Sequence, residues 1–305
     1  MFGDDDDETV ANDNRLTQLM RRPKNSGVPS FHEGTEESLL LCIESTVVRD
    51  DPKALIDAID DFCYSRHWMM HISDVKGQLL DRALSDAIST SRARGDVVII
   101  VELGSYCGYS AVRLASQLDK PGDLVISVDS SPQAMGYARR AVVHSGLQHR
   151  VEFICSSAKD SISHIRKIVS DRSAQQPVSR SSTGIDLLLI DHDKSLYYSD
   201  LLLFEQAELI TPGAIVVSDN VLSFGSPKQD LLDHVRDPAR YSSSVLHVSA
   251  LEYTARSVLL AASNSDYHTD KTDNLSESDI ETLKELQAAE ELLCDTSDGV
   301  EVSVR

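Results

Sequence analysis

The sequence has little cysteine and a single tryptophan, and only 5% of its 305 residues are aromatic. Its five cysteines are odd in number and scattered, and none belongs to a CxxC pair. This usage argues against a disulfide framework and a zinc site, and it is typical of a reducing compartment. Hydrophobic residues at 41% and charged residues at 26% nevertheless match globular averages, so we expect a folded protein.

Long apolar runs and a secretory signal are also lacking. The longest apolar stretches, such as 97–101 and 187–190, are far shorter than the roughly 18 residues that suggest a membrane span. The chain begins Met-Phe-Gly followed by four aspartates, whereas a signal peptide begins with basic residues. We therefore expect a cytoplasmic protein that makes no membrane contact.

Basic residues are scarce relative to acidic ones. The chain has 29 lysines and arginines against 49 aspartates and glutamates, which gives a net charge of −20. The first 37 and the last 40 residues carry −14 of this charge. Because an acidic chain repels phosphate backbones and anionic headgroups, we expect a small-molecule ligand rather than nucleic acid.

Apolar periodicity divides the chain into three segments. Residues 1–35 show none, and we interpret them as a disordered acidic leader. Residues 36–265 form the predicted domain, which begins with three amphipathic helical patterns. Residues 266–305 are acidic, and we expect a mostly disordered tail, although 276–294 has the spacing of one helix.

β-Branched runs alternate with helical segments in the predicted domain. The predicted strands are 97–103, 124–128, 151–155, 186–190, 214–217, 245–248 and 257–262. Helical composition between the first five predicts βαβ units and a parallel sheet buried on both faces. The segment 170–184 is rich in Ser, Gln and Arg, and we interpret it as a flexible surface insertion.

Ligands of a doubly wound sheet bind beyond the carboxyl ends of its strands. The first predicted strand leads into residues 102–110, where two glycines would let the backbone approach a ligand closely. The second ends at Asp129, whose carboxylate could accept both hydroxyls of a ribose. A helix N-cap is an equally good interpretation of Asp129.

Oxygen ligands follow two more predicted strands. Asp191 ends the fourth strand, and Asp219 with Asn220 ends the fifth. Two carboxylates and an amide carbonyl are hard ligands suited to Mg²⁺. A helix cap or a turn explains either motif alone, whereas both motifs on neighbouring strands favour a metal.

Together these motifs resemble the catechol O-methyltransferase family of class I S-adenosylmethionine-dependent methyltransferases. The match spans about 36–263 and includes the segments 68–72, 76–77, 102–113, 191–194, 219–221, 234–236 and 251–253. The resemblance implies an α/β, Rossmann-like class I methyltransferase fold. Such a fold has a seven-stranded, mostly parallel sheet with helices on both faces.

The resemblance also implies catalytic roles for residues at matching positions. Asp191, Asp219 and Asn220 would hold Mg²⁺, which in the family binds both oxygens of a catechol. Lys194 would be the general base, and Glu252 would accept a hydrogen bond from the neighbouring hydroxyl. The implied reaction is in-line attack of the catecholate oxygen on the sulfonium methyl of the donor.

Binding positions for the donor and the acceptor are implied in the same way. Residues around S-adenosyl-L-methionine would be Ile72, Glu102, Gly104, Ser110, Asp129, Asp191 and His192. Residues of the acceptor pocket would be Trp68, Met70, Lys194, Asn220, Phe224 and Glu252. Without the resemblance, Trp68 and Met70 are better interpreted as core residues.

Three positions depart from the family pattern. Asp193 stands where a tryptophan is common, and Phe224 stands where a proline is familiar. Ala158 and Lys159 replace a Ser-Gln pair that meets the adenine. These differences affect which acceptor we expect more than which reaction we expect.

We therefore predict a monomeric, Mg²⁺-dependent methyltransferase that acts on a catecholamine or a related vicinal diphenol, with a place in catecholamine metabolism. One alternative keeps the chemistry but has a caffeoyl or flavonoid acceptor. Another is a donor-binding interaction module without turnover. A nicotinamide dehydrogenase is the weakest alternative, because it leaves the two metal-type strand ends unexplained.

Overall fold

The computed structural model describes residues 34–66, 69–174, 184–222, 228–250 and 297–305. The helices in these ranges are α1 (Thr35–Thr46), α2 (Pro52–Ser65), α3 (Ser73–Arg94), α4 (Tyr109–Ser116), α5 (Pro132–His144), α6 (Ala158–Ala174), α7 (Tyr197–Gln206) and α8 (Gln229–Val235). The strands are β1 (Ile99–Leu103), β2 (Leu124–Asp129), β3 (Val151–Cys155), β4 (Ile185–Ile190), β5 (Ile210–Ser218), β6 (Ser243–Ala250) and β7 (Ser297–Val304). Among the helices described, none has the length and apolarity to cross a bilayer.

All seven strands belong to one sheet, in the order β3-β2-β1-β4-β5-β7-β6. The first five strands of this order pair in parallel. β7 runs antiparallel to both β5 and β6. The predicted seven-stranded, mostly parallel α/β architecture is therefore confirmed.

The core lies on both faces of the sheet. Along β1, Ile100 faces one apolar cluster, whereas Ile99 and Val101 face the other. Helices α1 to α5 cover the first face, and α6 to α8 cover the second. Because a central strand is buried on both faces, its sequence is continuously apolar rather than alternating.

Local residues explain where α2 begins and where α3 ends. Asp51 caps α2 by accepting a hydrogen bond from the Ala54 N–H at 2.9 Å. α3 buries Leu80 and Ala87 along one stripe. The residue that follows its last turn is Gly95, whose φ is 81°. A left-handed φ at this point favours glycine, which ends the helix without strain. The predicted amphipathic helices are confirmed.

The C-terminal strand corrects the sequence interpretation. Residues 297–304 were expected in a disordered tail, but they form β7 and pair along their length with β6. Val300 is fully buried, and the alternation of Val300, Val302 and Val304 is the period-two pattern of a strand. The folded domain therefore includes the last residues of the chain.

The segment 170–184 also differs in part from the expectation, because α6 continues to Ala174. Several expectations lie outside the described residues. These are the disorder of 1–33, the predicted strand 257–262, the possible helix 276–294, and the site residues Trp68, Phe224 and Glu252.

Candidate active site

Three neighbouring strands, β1, β4 and β5, end at the same level of the sheet. Leu103 pairs with Ile190, and Ile190 pairs with Ser218. The backbone N–H of Asp191 donates to the Leu103 carbonyl at 3.0 Å, and that of Asp219 donates to the Ile190 carbonyl at 3.1 Å. Parallel register thus brings the predicted metal-binding motifs to one edge of the sheet.

Glycines allow the turn after β1 to approach this edge. Gly104 has a φ of 102°, and a Cβ at this position would overlap the Asp191 carbonyl. Gly108 has a φ of 83°, and a Cβ there would lie 2.9 Å from the Ala138 Cα. Side chains at these two positions would separate β1 from β4 and α4 from α5, so the glycine turn requires both residues.

The strand ends border a cavity of about 900 Å³. The predicted site residues that line it are Met70, Ile72, Gly104, Ser110, Asp129, Asp191, His192, Lys194, Asp219 and Asn220. Glu102 is completely buried and lies close to Ser110, which does line the cavity. The structure therefore brings together every predicted site residue that it describes.

Asp129 joins the turns that follow β1 and β2. Its Oδ2 accepts hydrogen bonds from the N–H groups of Ser105 at 2.9 Å and Tyr106 at 3.2 Å. Its Oδ1 accepts one from the Ser131 N–H at 2.8 Å. The helix cap is Ser131, whose hydroxyl accepts from the Ala134 N–H, so the N-cap interpretation of Asp129 is wrong.

Glu102 is a carboxyl group without solvent contact. Burial raises its pKa to about 8, and the nearby hydroxyls of Ser127 and Ser110 oppose the rise. One oxygen, Oε1, accepts from the Ser127 hydroxyl at 2.5 Å, while Oε2 has no hydrogen-bond partner among the described residues. At neutral pH without a bound ligand, the Glu102 side chain is therefore mainly protonated.

Lys194 is held within the turn after β4. Its Nζ donates to Asp191 Oδ1 and to the Tyr197 hydroxyl, both at 2.7 Å. Nζ also lies 5.1 Å from the centre of the Tyr197 ring. Tyr197 is 1% exposed, so a rigid aromatic side chain supports the lysine from the core.

His192 and Asp193 contact different partners in the same turn. His192 Nε2 lies 2.8 Å from Asp200 Oδ2, and the imidazole stacks on Tyr197. Asp193 is exposed, and its Oδ1 accepts hydrogen bonds from the N–H and the hydroxyl of Ser195. These bonds lower the pKa of the Asp193 carboxyl, so its negative charge persists at the edge of the cavity.

Asp219 and Asn220 contact two residues to which the sequence assigned no role. Lys76 Nζ lies 2.8 Å from Asp219 Oδ1 and also forms an ion pair with Asp298. Asn220 Nδ2 donates to Asp298 Oδ2 at 2.6 Å. A lysine on the apolar stripe of α3 was a usable signal, whereas Asp298 lies in a segment whose acidic composition predicted a disordered tail.

The donor set fits Mg²⁺. No group of three His, Cys, Asp or Glu side chains within the described ranges is arranged to hold a metal. Asp191, Asp219 and Asn220 instead offer two carboxylates and one amide oxygen. Mg²⁺ is commonly held by one or two carboxylates and keeps several waters, so this set suits it.

Two histidines of the matched segments, His71 and His234, contact neighbouring side chains. His71 packs against the rings of Tyr106 and Tyr109, and its Nδ1 lies 3.4 Å from Cys63 Sγ. His234 Nε2 lies 3.0 Å from Glu205 Oε2. Both imidazoles are buried, so these contacts pack neighbouring elements together.

The Rossmann-like sheet, the glycine turn after β1 and the acid at the end of β2 match the class I methyltransferase fold that the sequence predicts. A family model described as a methyltransferase domain matches residues 101–221. A crystal structure of an O-methyltransferase from Bacillus cereus in complex with SAH aligns with 88% of this chain and 97% of that chain. Its TM-score is 0.51 at 16% sequence identity, so this likeness supports the fold.

Curated relatives define the family more narrowly. Catechol O-methyltransferase from Bos taurus is 31% identical over 220 residues, which are 72% of each chain. Catechol O-methyltransferase B from Danio rerio is 33% identical over 72% of this chain and 74% of that protein. The chain belongs to the catechol O-methyltransferase family and is an S-adenosylmethionine-dependent O-methyltransferase.

Proposed function

We propose that this enzyme methylates one hydroxyl of a catechol-type vicinal diphenol with Mg²⁺ as cofactor. The observation that carries the proposal is the joint position of Asp191, Asp219, Asn220 and Lys194 at one edge of the cavity. Both relatives named above are catechol O-methyltransferases, which supports the same acceptor class.

The donor would bind at the ends of β1 and β2. The Asp129 carboxylate accepts three backbone hydrogen bonds. Because an ionised carboxylate has about four acceptor positions, capacity remains for a ribose hydroxyl. Ile72, Gly104, Ser110 and His192 would surround the rest of the donor, with Glu102 beneath its methionine part.

Asp191, Asp219 and Asn220 would hold the metal. Mg²⁺ bound there supplies positive charge that stabilises a catecholate oxygen and fixes the orientation of the acceptor. Lys194, in its uncharged amine form, would accept the proton from the hydroxyl that becomes methylated. Its contacts with Asp191 and Tyr197 limit the positions of Nζ, so the base has little conformational freedom to lose.

The protein contributes orientation rather than covalent chemistry to the transfer. Glu102 and Asp129 lie on β1 and β2, and the segments that begin at Asp191 and Asp219 follow β4 and β5, so one continuous sheet supports both parts of the site. Holding nucleophile and methyl group in line removes much of the entropy cost of a bimolecular reaction. Trp68, Met70, Asn220, Phe224 and Glu252 would complete the acceptor pocket.

A direct assay tests this function. Purified full-length protein is incubated with methyl-labelled S-adenosylmethionine and a panel containing catechol, dopamine, a caffeoyl ester and a monophenol, with Mg²⁺ or with excess chelator. We expect labelled product from the catechols only when Mg²⁺ is present. Methylation confined to the caffeoyl ester would favour the alternative acceptor class, and full activity in chelator would exclude the metal role.

A further inference from the structure

A buried polar cluster connects the C-terminal strand to the residues that follow β5. It consists of Lys76 from α3, Asp219 and Asn220 after β5, and Asp298 from β7, and we call it the C-terminal cluster. Their exposed fractions are 1%, 1%, 6% and 0%, respectively. Four polar side chains so deeply buried are costly unless they satisfy one another.

Asp298 is the partner that Lys76 and Asn220 share. Its Oδ2 accepts a hydrogen bond from Asn220 Nδ2 at 2.6 Å and forms an ion pair with Lys76. Lys76 in turn donates to Asp219 Oδ1 at 2.8 Å, and the Asn220 N–H donates to the same oxygen at 2.7 Å. One residue of β7 thus contacts Asn220 directly and reaches Asp219 through Lys76.

The contact with Asp298 decides which way the Asn220 amide faces. An ionised carboxylate accepts hydrogen bonds and donates none, so Asp298 can be paired only with the NH₂ group of Asn220. The carbonyl oxygen Oδ1 must then lie on the opposite branch of the amide. Since Asn220 lines the cavity, this arrangement offers the cavity an oxygen, which binds Mg²⁺, rather than an NH₂ group, which does not.

The backbone holds β7 and the ligand segment together. The Val221 N–H donates to the Gly299 carbonyl at 3.0 Å, immediately beside the contact between Asn220 and Asp298. Ser218 pairs with Glu301 in the antiparallel ladder of β5 and β7. Asn220 itself has a left-handed φ of 54°, which asparagine tolerates better than most residues.

Charge balance explains why the cluster contains a lysine. Without Lys76, Asp219 and Asp298 would be two buried carboxylates around one amide. Without Asp298, Lys76 would have one carboxylate partner fewer and the Asn220 amide would lose an acceptor of its NH₂ group. Breaking a buried ion pair by removing one partner leaves an uncompensated charge, so these residues function as a unit.

We propose that Asp298, acting with Lys76, is a positioning residue that presents the Asn220 carbonyl and the Asp219 carboxylate as ligands for a divalent cation. This inference rests on the proposed function, because it takes Asp219 and Asn220 as ligands. The further point is that these metal ligands depend on β7. In the sequence, residues 251–296 separate β7 from β6.

Asp298→Asn is the main test, since it keeps the side-chain size but removes the charge. An asparagine at 298 can either donate or accept, so it no longer dictates the orientation of the Asn220 amide. Glu301→Gln is the matched control. Glu301 is also a buried carboxylate of β7 and is paired with Arg236, but none of its hydrogen bonds involves Asn220.

Mn²⁺ binding to the full-length proteins is measured by electron paramagnetic resonance, with thermal unfolding and donor affinity as checks of the fold. We expect Asp298→Asn to weaken Mn²⁺ binding by roughly 10- to 100-fold, the usual effect of losing a partner that orients a metal ligand. Donor affinity should stay near the wild-type value, and Glu301→Gln should bind Mn²⁺ like the wild type. The Mg²⁺ concentration for half-maximal turnover should rise in Asp298→Asn, while kcat at saturating Mg²⁺ recovers.

A charge-balanced variant covers the case in which Asp298→Asn does not fold. Lys76→Met combined with Asp298→Asn removes one positive and one negative charge together, and it should bind the donor but hold Mn²⁺ weakly. Wild-type Mn²⁺ affinity in either folded variant, or an equal loss in Glu301→Gln, would overturn the inference alone. Failure of the wild-type protein to bind Mn²⁺ would overturn the proposed metal site as well.

Discussion

Lys194 and Asp191 form an ion pair across one turn of chain, with Nζ 2.7 Å from Oδ1. The proposed base therefore touches a proposed metal ligand directly. Both side chains are about one-fifth exposed, so the pair borders the cavity rather than the core. Proton removal and metal binding are consequently expected at adjoining positions.

Replacing Lys194 tests the base. Lys194→Met should lower kcat by roughly 10²- to 10⁴-fold, the usual contribution of a positioned general base. Donor affinity, measured by calorimetry, should hardly change, because Lys194 is assigned to the acceptor side. Lys228→Met is the control, since Lys228 lines the same cavity but has no assigned role. Unchanged turnover of Lys194→Met at neutral pH would show that another group takes the proton.

Metal removal should abolish turnover without unfolding the protein. With excess chelator, or in Asp219→Asn, the acceptor would lose the positive charge that stabilises its ionised oxygen. Returning Mg²⁺ should restore the wild-type rate but leave Asp219→Asn inactive. Circular dichroism and donor binding serve as controls, and a chelated enzyme with full activity would contradict the prediction.

Asp193 is expected to favour acceptors that carry a cationic amine. Its carboxylate is ionised and lies at the cavity, where it attracts an ammonium group. Asp193→Asn retains an oxygen acceptor for Ser195 but removes the charge, and Asp193→Trp adds a stacking surface worth about 0.5–1.5 kcal/mol. Both variants should lower the kcat/KM ratio of dopamine to a neutral catechol. An unchanged ratio would mean that the carboxylate does not act on the acceptor.

Glu102 should make the protein less stable as the pH rises. Its folded-state pKa is about 8 against an ordinary value of 4.5, so between these values the folded state holds a proton that the unfolded state has lost. The free energy of unfolding should therefore fall with pH over this interval by up to about 1.4 kcal/mol per pH unit. Glu102→Gln, which resembles the protonated carboxyl, should lack this contribution.

Denaturant titrations of both proteins between pH 5 and 8 provide the measurement for Glu102. The stability difference in favour of Glu102→Gln should grow as the pH rises. Two stability curves that remain parallel over this range would show that Glu102 does not hold a proton in the folded protein.

The last strand is expected to be essential for folding. Deletion of residues 297–305 removes β7, which lies between β5 and β6 and pairs with both. It also removes Asp298 and leaves Lys76 with one carboxylate fewer. The shortened chain should lose cooperative unfolding and donor binding. A chain without residues 1–33, which lie outside the described residues, is the control and should retain both.

The sequence by itself determined the central sheet and the edge where the site lies. A strand with apolar residues on both faces is covered on both faces. The continuous Val and Ile runs at 97–103 and in the neighbouring segments therefore predicted the central strands of the sheet. Parallel strands end at a common edge, and this alone brought Asp191 together with Asp219 and Asn220. Such inferences succeed because they need only local composition and the direction of the chain.

Tertiary structure decided how the sheet is completed and which residues support the ligands. β6 ends at Ala250 and β7 begins at Ser297, so their pairing joins segments far apart in sequence. The alternation in β7 is short and lies beside an acidic segment, so it is a weak local signal. Lys76 and Asp298 acquire their roles only when α3 and β7 meet at the end of β5. The reason is physical: a buried charge is stable only beside its partner, and the fold alone determines which residue that partner is.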